Sequence, residues 1–192
     1  MANNNKIFLS FLIVTLMWGC NKTTDESLSN IELSTLDKTV FKFEYVYKHA
    51  VSVITFFSPE CPLSENYTKN LNDLQKKYEG MDVLFVGIVP GNFYSEQKID
   101  SFKTLYNVQG FLLLDRDKKL TNYLNATITP ETFVLDSTGT VRYSGAIDNW
   151  AVDLGQKREV ITEFYLMDAI EALLSDREVA VTHAPAVGCF IE

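Results

Sequence analysis

Residues 51–78 read VSVITFFSPECPLSENYTKNLNDLQKKY, and their order decides the fold. Val51 to Phe57 is a β-rich apolar run, the pattern of a strand covered on both faces. Ser58-Pro59-Glu60 is a short polar turn. After Cys61-Pro62, the residues Tyr67, Leu71, Leu74 and Tyr78 recur at helical spacing. A cysteine therefore stands where a buried strand hands over to a helix. The first turn of a helix carries free N–H groups and the positive end of the macrodipole. Both stabilise an anion, so a thiol there is expected to ionise readily and to act as a nucleophile. Pro62 suits the first helical position, where its missing N–H costs nothing.

Working outward, strands and helices alternate. Thr39–Tyr47 reads as a strand or hairpin arm, and Lys48-His49-Ala50 turns the chain into the apolar run. Gly80 closes the helix. Met81–Val89 is a second buried strand, and Ser95 caps a helix that runs to Tyr106 with Ile99 and Phe102 on its inner face. Phe111–Leu114 is a third strand, Asp115–Leu124 a short helix and Thr132–Leu135 a fourth strand. Asp136–Gly139 turns the chain, and Val141–Tyr143 pairs back as a hairpin. The loop at Asp148-Asn149-Trp150 reads as surface. The last helix spans Glu159–Leu174, with Val160, Phe164, Met167, Ile170 and Leu174 facing inward. This order predicts an α/β sandwich with a mixed central sheet and flanking helices. Ligands of such sheets bind at the C-terminal ends of the parallel strands, where Cys61 falls.

The chain has 192 residues, room for one domain with appendages. Its 46% hydrophobic content supports a full core. A formal net charge of −8, with the cations dispersed, argues against a nucleic-acid partner. At the N-terminus, Lys6 precedes an apolar run, Ile7–Trp18. That run is shorter than the about 20 residues a spanning helix needs and fits a signal-peptide core. It ends at Gly19-Cys20 and resembles a bacterial lipoprotein signal, which implies removal of the leader and a lipid on Cys20. Met17 and Trp18 depart from that motif, and an ordinary secretory signal is the alternative. Residues 21–36 read as a polar tether, 37–175 as the folded domain and 176–192 as a C-terminal tail. Either signal exports the chain. With Cys20 lipidated, Cys61 and Cys189 are the only possible intramolecular pair in a compartment where disulfides persist.

The second landmark is Ile128-Thr129-Pro130-Glu131-Thr132-Phe133-Val134-Leu135-Asp136. A proline entering a strand must sit at its first residue or at an edge, because it donates no ladder hydrogen bond. FFSPECPLS followed by ITPETFVLDSTGTVRYSG resembles the thioredoxin-like superfamily, and within it the redoxin branch that includes extracytoplasmic thiol-disulfide proteins and peroxiredoxins. The resemblance covers Thr39 to Leu174. It implies a thioredoxin-like three-layer sandwich, with a cis Pro130 packed against a reactive Cys61 and the Thr129 backbone pairing with a bound substrate strand. Two departures matter. In place of Cys-x-x-Cys the chain has Cys61-Pro62-Leu63-Ser64, and Ser64 cannot resolve a mixed disulfide. Cys189 is the one internal candidate for that step, with catalytic and structural pairing both open. The peroxiredoxin pattern is half present. Ser58 takes the hydroxyl position, but Ile54 replaces the proline, and Arg116 and Arg142 are candidates for the arginine only by default.

The expected activity is thiol-disulfide exchange outside the cytoplasm. Cys61 is the nucleophile, Thr129, Pro130 and Cys189 complete the catalytic set, and Ser58, Pro62 and Ser64 support it. A peroxiredoxin-like peroxidase and a redox-inert binding module are the alternatives. Expected partners are a protein or small-molecule disulfide, or a peroxide, together with an external thiol reductant and a membrane reached through the lipid on Cys20. No cofactor or metal is expected: Glu65 stands where a Cys-x-x-x-Cys copper site needs its second thiol, and the haem signature is absent.

Overall fold

The apolar run forms β3, Val51–Phe56, and all six of its residues are buried. In the computed structural model, which describes residues 27–192, this strand lies at the centre of an eight-stranded sheet. The sheet is built from β1 (Glu32–Thr35), β2 (Val40–Lys42), β3, β4 (Val83–Pro90), β5 (Phe111–Asp115), β7 (Glu131–Asp136), β8 (Val141–Gly145) and β11 (His183–Ala184). Their order is β11-β8-β7-β3-β4-β5-β1-β2. β3, β4 and β5 run parallel, while β7 is antiparallel to β3 with Ile54 opposite Phe133. The helices are α1 (Pro62–Lys77), α2 (Glu96–Leu105), α3 (Lys119–Leu124) and α4 (Tyr165–Leu174). Three two-residue or three-residue strands, β6 (Ile128–Thr129), β9 (Ala151–Asp153) and β10 (Gln156–Lys157), and the tail strand β12 (Cys189–Phe190) complete the fold.

Strand periodicity sends alternate residues of β3 to opposite faces. Val51 and Val53 join Leu63, Tyr67 and Leu71 of α1, Ile99 and Phe102 of α2, and Leu166, Ala169 and Ile170 of α4 in one core layer. Ile54 and Phe56 join Leu120 and Leu124 of α3 in the other. The result is the expected three-layer α/β sandwich. Two parallel crossovers bring the C-terminal ends of β3 and β4 to one edge, and Cys61 follows directly from the first of them. Among the described residues no helix is long and apolar enough to cross a membrane.

The structure departs from expectation at the two ends. Residues 28–35 are not a tether. Leu28, Ile31 and Leu33 are buried, and β1 pairs with both β2 and β5. Three apolar anchors within a polar stretch are enough to seat a strand between β2 and β5. Thr39–Tyr47 is a strand only over Val40–Lys42, after which residues Phe43–Lys48 form a 3-10 turn that buries Phe43 and Val46. The last helix begins at Tyr165, so Val160 and Phe164 lie ahead of it and are exposed. Asp148 is buried rather than at the surface. Its carboxylate accepts from Tyr67 Oη (2.6 Å), Asn70 Nδ2 (3.0 Å) and the Trp150 backbone N–H (2.9 Å), tying the loop to α1. The signal, the Cys20 lipidation site and residues 21–26 lie outside the described residues.

Candidate functional site

Cys61 is the N-cap of α1, with Pro62 in the first turn. The turn before it is held from both sides. The Cys61 N–H donates to Ser58 O (3.0 Å), and the Ser58 N–H donates to Ser64 Oγ (3.1 Å). Ser64 is fully buried, so the residue that replaces the second cysteine is a brace for the turn. Ser58 Oγ is engaged with Tyr94 Oη at 2.7 Å, and Arg116 Nη1 donates to Tyr94 O at 2.9 Å. Arg116 thus supports the loop that faces Cys61. Arg142 does not reach the site: its Nε donates to Asp136 Oδ2 (2.6 Å), and residues 136 and 142 flank the β7–β8 turn.

Opposite the cysteine stands Thr129-Pro130, joined by a cis peptide bond between β6 and β7. Cys61 Sγ donates to Thr129 O at 3.0 Å. Glu131 is buried there, and its Oε2 accepts from the Thr127 N–H (2.9 Å) and the Ile128 N–H (3.3 Å). That carboxylate fixes the loop that presents Thr129.

The tail completes the site. After β11 pairs with β8, the chain crosses to β6, where β12 pairs antiparallel with Cys189 opposite Thr129 and Phe190 opposite Ile128. Ile191 N–H donates to Thr127 O (2.9 Å), and Thr129 Oγ1 donates to Cys189 O (3.3 Å). Gly188 is required by this approach, since a Cβ there would stand 2.0 Å from Thr129 O. The docked strand places Cys189 Sγ 2.6 Å from Cys61 Sγ, with both residues free thiols.

Cys61, at the mouth of α1, is nonetheless only 1% exposed. The covering strand accounts for this burial, because Val187 and Cys189 pack on the same core layer. Burial pushes the Cys61 thiol up, but the hydrogen bond from Cys189 and the N–H groups of Ser64 and Leu63 outweigh it and leave the thiol below its ordinary value. Those N–H groups act through their field, since the sulfur closes no formal cap hydrogen bond. Burial, and then the contact with Cys61, pushes the Cys189 thiol up to about 12. The pair is thus polarised: Cys61 is the sulfur that ionises more readily, and Cys189 is the one that holds its proton more tightly. A cavity of about 530 Å³ opens beside the sulfurs, lined by Phe57, Phe93, Tyr94 and Phe190 together with Lys118 and the chain end at Glu192.

Sequence reasoning brought forward Cys61, Thr129, Pro130, Cys189, Ser58, Pro62 and Ser64, and the structure brings all seven into this one region. It missed Tyr94, Glu131 and the partnership of β12 with β6. A glutamate directly after the strand-entry proline, at a position that must be buried, is the signal that could have found Glu131.

The family model for Redoxin matches residues 23–152. No curated protein matches. Among solved structures, a hypothetical protein from Sinorhizobium meliloti superposes with a TM-score of 0.75 at 21% identity, covering 84% of this chain and 89% of its own. An uncharacterized conserved protein from Geobacillus kaustophilus gives 0.74 at 23%, covering 84% and 87%. A secreted Mycobacterium tuberculosis disulfide oxidoreductase homologous to E. coli DsbE gives 0.56 at 20%, covering 79% and 98%. With the family model matched over most of the chain and the fold shared with these structures, the chain belongs to the Redoxin family and has the thioredoxin-like fold.

Proposed function

We propose that the protein is a thiol-disulfide oxidoreductase whose working pair is Cys61 and Cys189. The carrying observation is the 2.6 Å contact between the two sulfurs across the Thr129-Pro130 loop. A Cys-x-x-Ser turn lacks its own resolving thiol, and the docked tail supplies one from 128 residues downstream. In the oxidising half-cycle the Cys61 thiolate attacks a substrate disulfide RS–SR′, forming Cys61–S–SR and releasing R′S⁻. Cys189, after losing its proton, attacks the Cys61 sulfur and releases RS⁻, which leaves the Cys61–Cys189 disulfide. The substrate gains two electrons and an external thiol later returns them.

The peroxidase reading has less support. Ser58 Oγ is engaged with Tyr94, the Cys61 N–H with Ser58 O, and neither Arg116 nor Arg142 lines the cavity beside the thiol. The proposed setting is the bacterial cell envelope. The signal-like N-terminus with Cys20 supports it, as does the shared fold with a secreted Mycobacterium tuberculosis disulfide oxidoreductase. The test is peptide mass mapping of the purified protein with and without reductant, joined to turnover of a model disulfide. A Cys61–Cys189 peptide pair, and activity abolished in Cys61→Ser, are expected. Hydrogen peroxide consumption surviving Cys189→Ser, with no disulfide turnover, would overturn the reading in favour of a peroxidase.

A further inference from the structure

The two sulfurs of the proposed exchange are not equivalent toward solvent. Cys61 is 1% exposed beneath the tail, whereas Cys189 is only partly buried. The backbone edge of β6 is also taken. Cys189 and Phe190 fill its pairing positions, Ile191 holds Thr127 O, and the close approach at Gly188 leaves no gap between the two backbones. An extended polypeptide that docks by adding a strand to this edge of β6 would first have to displace β12. What remains open is the cavity beside the sulfurs, about 530 Å³ between Phe57 and Tyr94 on one side and Phe190 on the other. Its size suits a small molecule.

We propose that the oxidised protein is reduced by a low-molecular-weight thiol that enters this cavity and attacks Cys189 Sγ, expelling Cys61 as the thiolate. This rests on the exchange reading above. In the first step RS⁻ forms an RS–S bond to Cys189 as the Cys189–Cys61 bond breaks, and both electrons of that bond leave with Cys61 sulfur. In the second step another RS⁻ attacks the RS sulfur of the adduct, forming RSSR and releasing Cys189 thiolate, which takes up a proton. Two thiols are oxidised and one protein disulfide is reduced. Access and leaving-group quality point the same way. The first turn of α1 stabilises the departing Cys61 anion, and a more stable thiolate leaves faster. Both sulfurs border the cavity, but Cys61 is 1% exposed, and attack on it would expel Cys189, the sulfur less able to carry charge.

The test uses the intact oxidised protein. It is mixed with less than one equivalent of glutathione, quenched in acid, alkylated with N-ethylmaleimide and mapped by mass spectrometry. The expected product carries glutathione on Cys189 and the alkyl group on Cys61. Per thiol, glutathione is expected to reduce the protein roughly tenfold faster or more than reduced thioredoxin, since only the small thiol fits the cavity. Glutathione on Cys61, or faster reduction by thioredoxin, overturns this proposal alone. Failure of an oxidant to form any Cys61–Cys189 disulfide overturns both it and the exchange reading.

Discussion

Oxidation of the sulfur pair is expected to stabilise the fold by an amount the connectivity sets. The bridge would close a loop of 128 residues, from the N-cap of α1 to the tail strand β12. For a loop of that length the chain-entropy relation gives a loss of unfolded-state freedom worth about 5 kcal/mol at room temperature. With a urea dependence of about 2.5 kcal/mol per molar, the oxidised protein should unfold about 2 M later than the reduced one. The docked tail makes a large native-state penalty unnecessary, because the sulfurs already touch and β12 is already paired. The assay is urea unfolding of the intact chain, followed by circular dichroism, with and without reductant. Cys189→Ser serves as the control and should be insensitive to reductant. A stabilisation below about 1 kcal/mol would refute the reasoning, because it would mean that the bridge either does not close in the native state or closes only by distorting it.

Gly188→Val should lift β12 from β6, since its Cβ would meet Thr129 O at 2.0 Å; alkylation of Cys61 by a bulky maleimide should then rise roughly tenfold or more as cover is lost. Glu131→Ala should leave the Thr127 and Ile128 N–H groups unpaired and cost about 2 kcal/mol in urea unfolding, with disulfide turnover falling as Thr129 loses its support. Tyr67→Phe removes one donor from the buried Asp148 carboxylate and should cost about 1.5–3 kcal/mol by the same measurement, with thiol reactivity unchanged. In the reduced protein the lowered Cys61 value adds stability that is present above the ordinary thiol value of 9.0 and is lost as pH falls through the folded value. The raised Cys189 value contributes the opposite slope, present below 9.0 and lost as pH climbs toward about 12. Unfolding midpoints measured against pH should show both slopes in the reduced protein and neither in the oxidised one.

The buried strands were legible because β3 and β4 are nearly unbroken apolar runs, a pattern with few competing readings. Cys61 was legible for the same reason, since the strand, the turn and Pro62 fix its position at a helix mouth. Its burial was not, because the cover comes from residues 187–191, which carry no periodic signal. β1 escaped notice because ELST alternates too weakly to separate a strand from a tether. Val160 and Phe164 continue the helical spacing of α4, but the backbone is not helical there, and spacing alone cannot show that. The roles of Ser64, Glu131 and Asp148 depend on partners that are distant in sequence or on the backbone, which a linear pattern does not encode.

The tail is anchored twice, at β11 on the sheet edge and at β12 beside the thiol, with only Pro185–Gly188 between them. If β12 lets go while β11 holds, Cys189 is on a leash of five residues from Ala184, a reach of about 17 Å at full stretch. Confinement to so small a sphere keeps its local concentration at roughly tens of millimolar. Any rival for the place beside Cys61 must therefore be abundant or must capture the sulfur before the leash recoils, so the spacing of two short strands sets the threshold at which the outside world is heard.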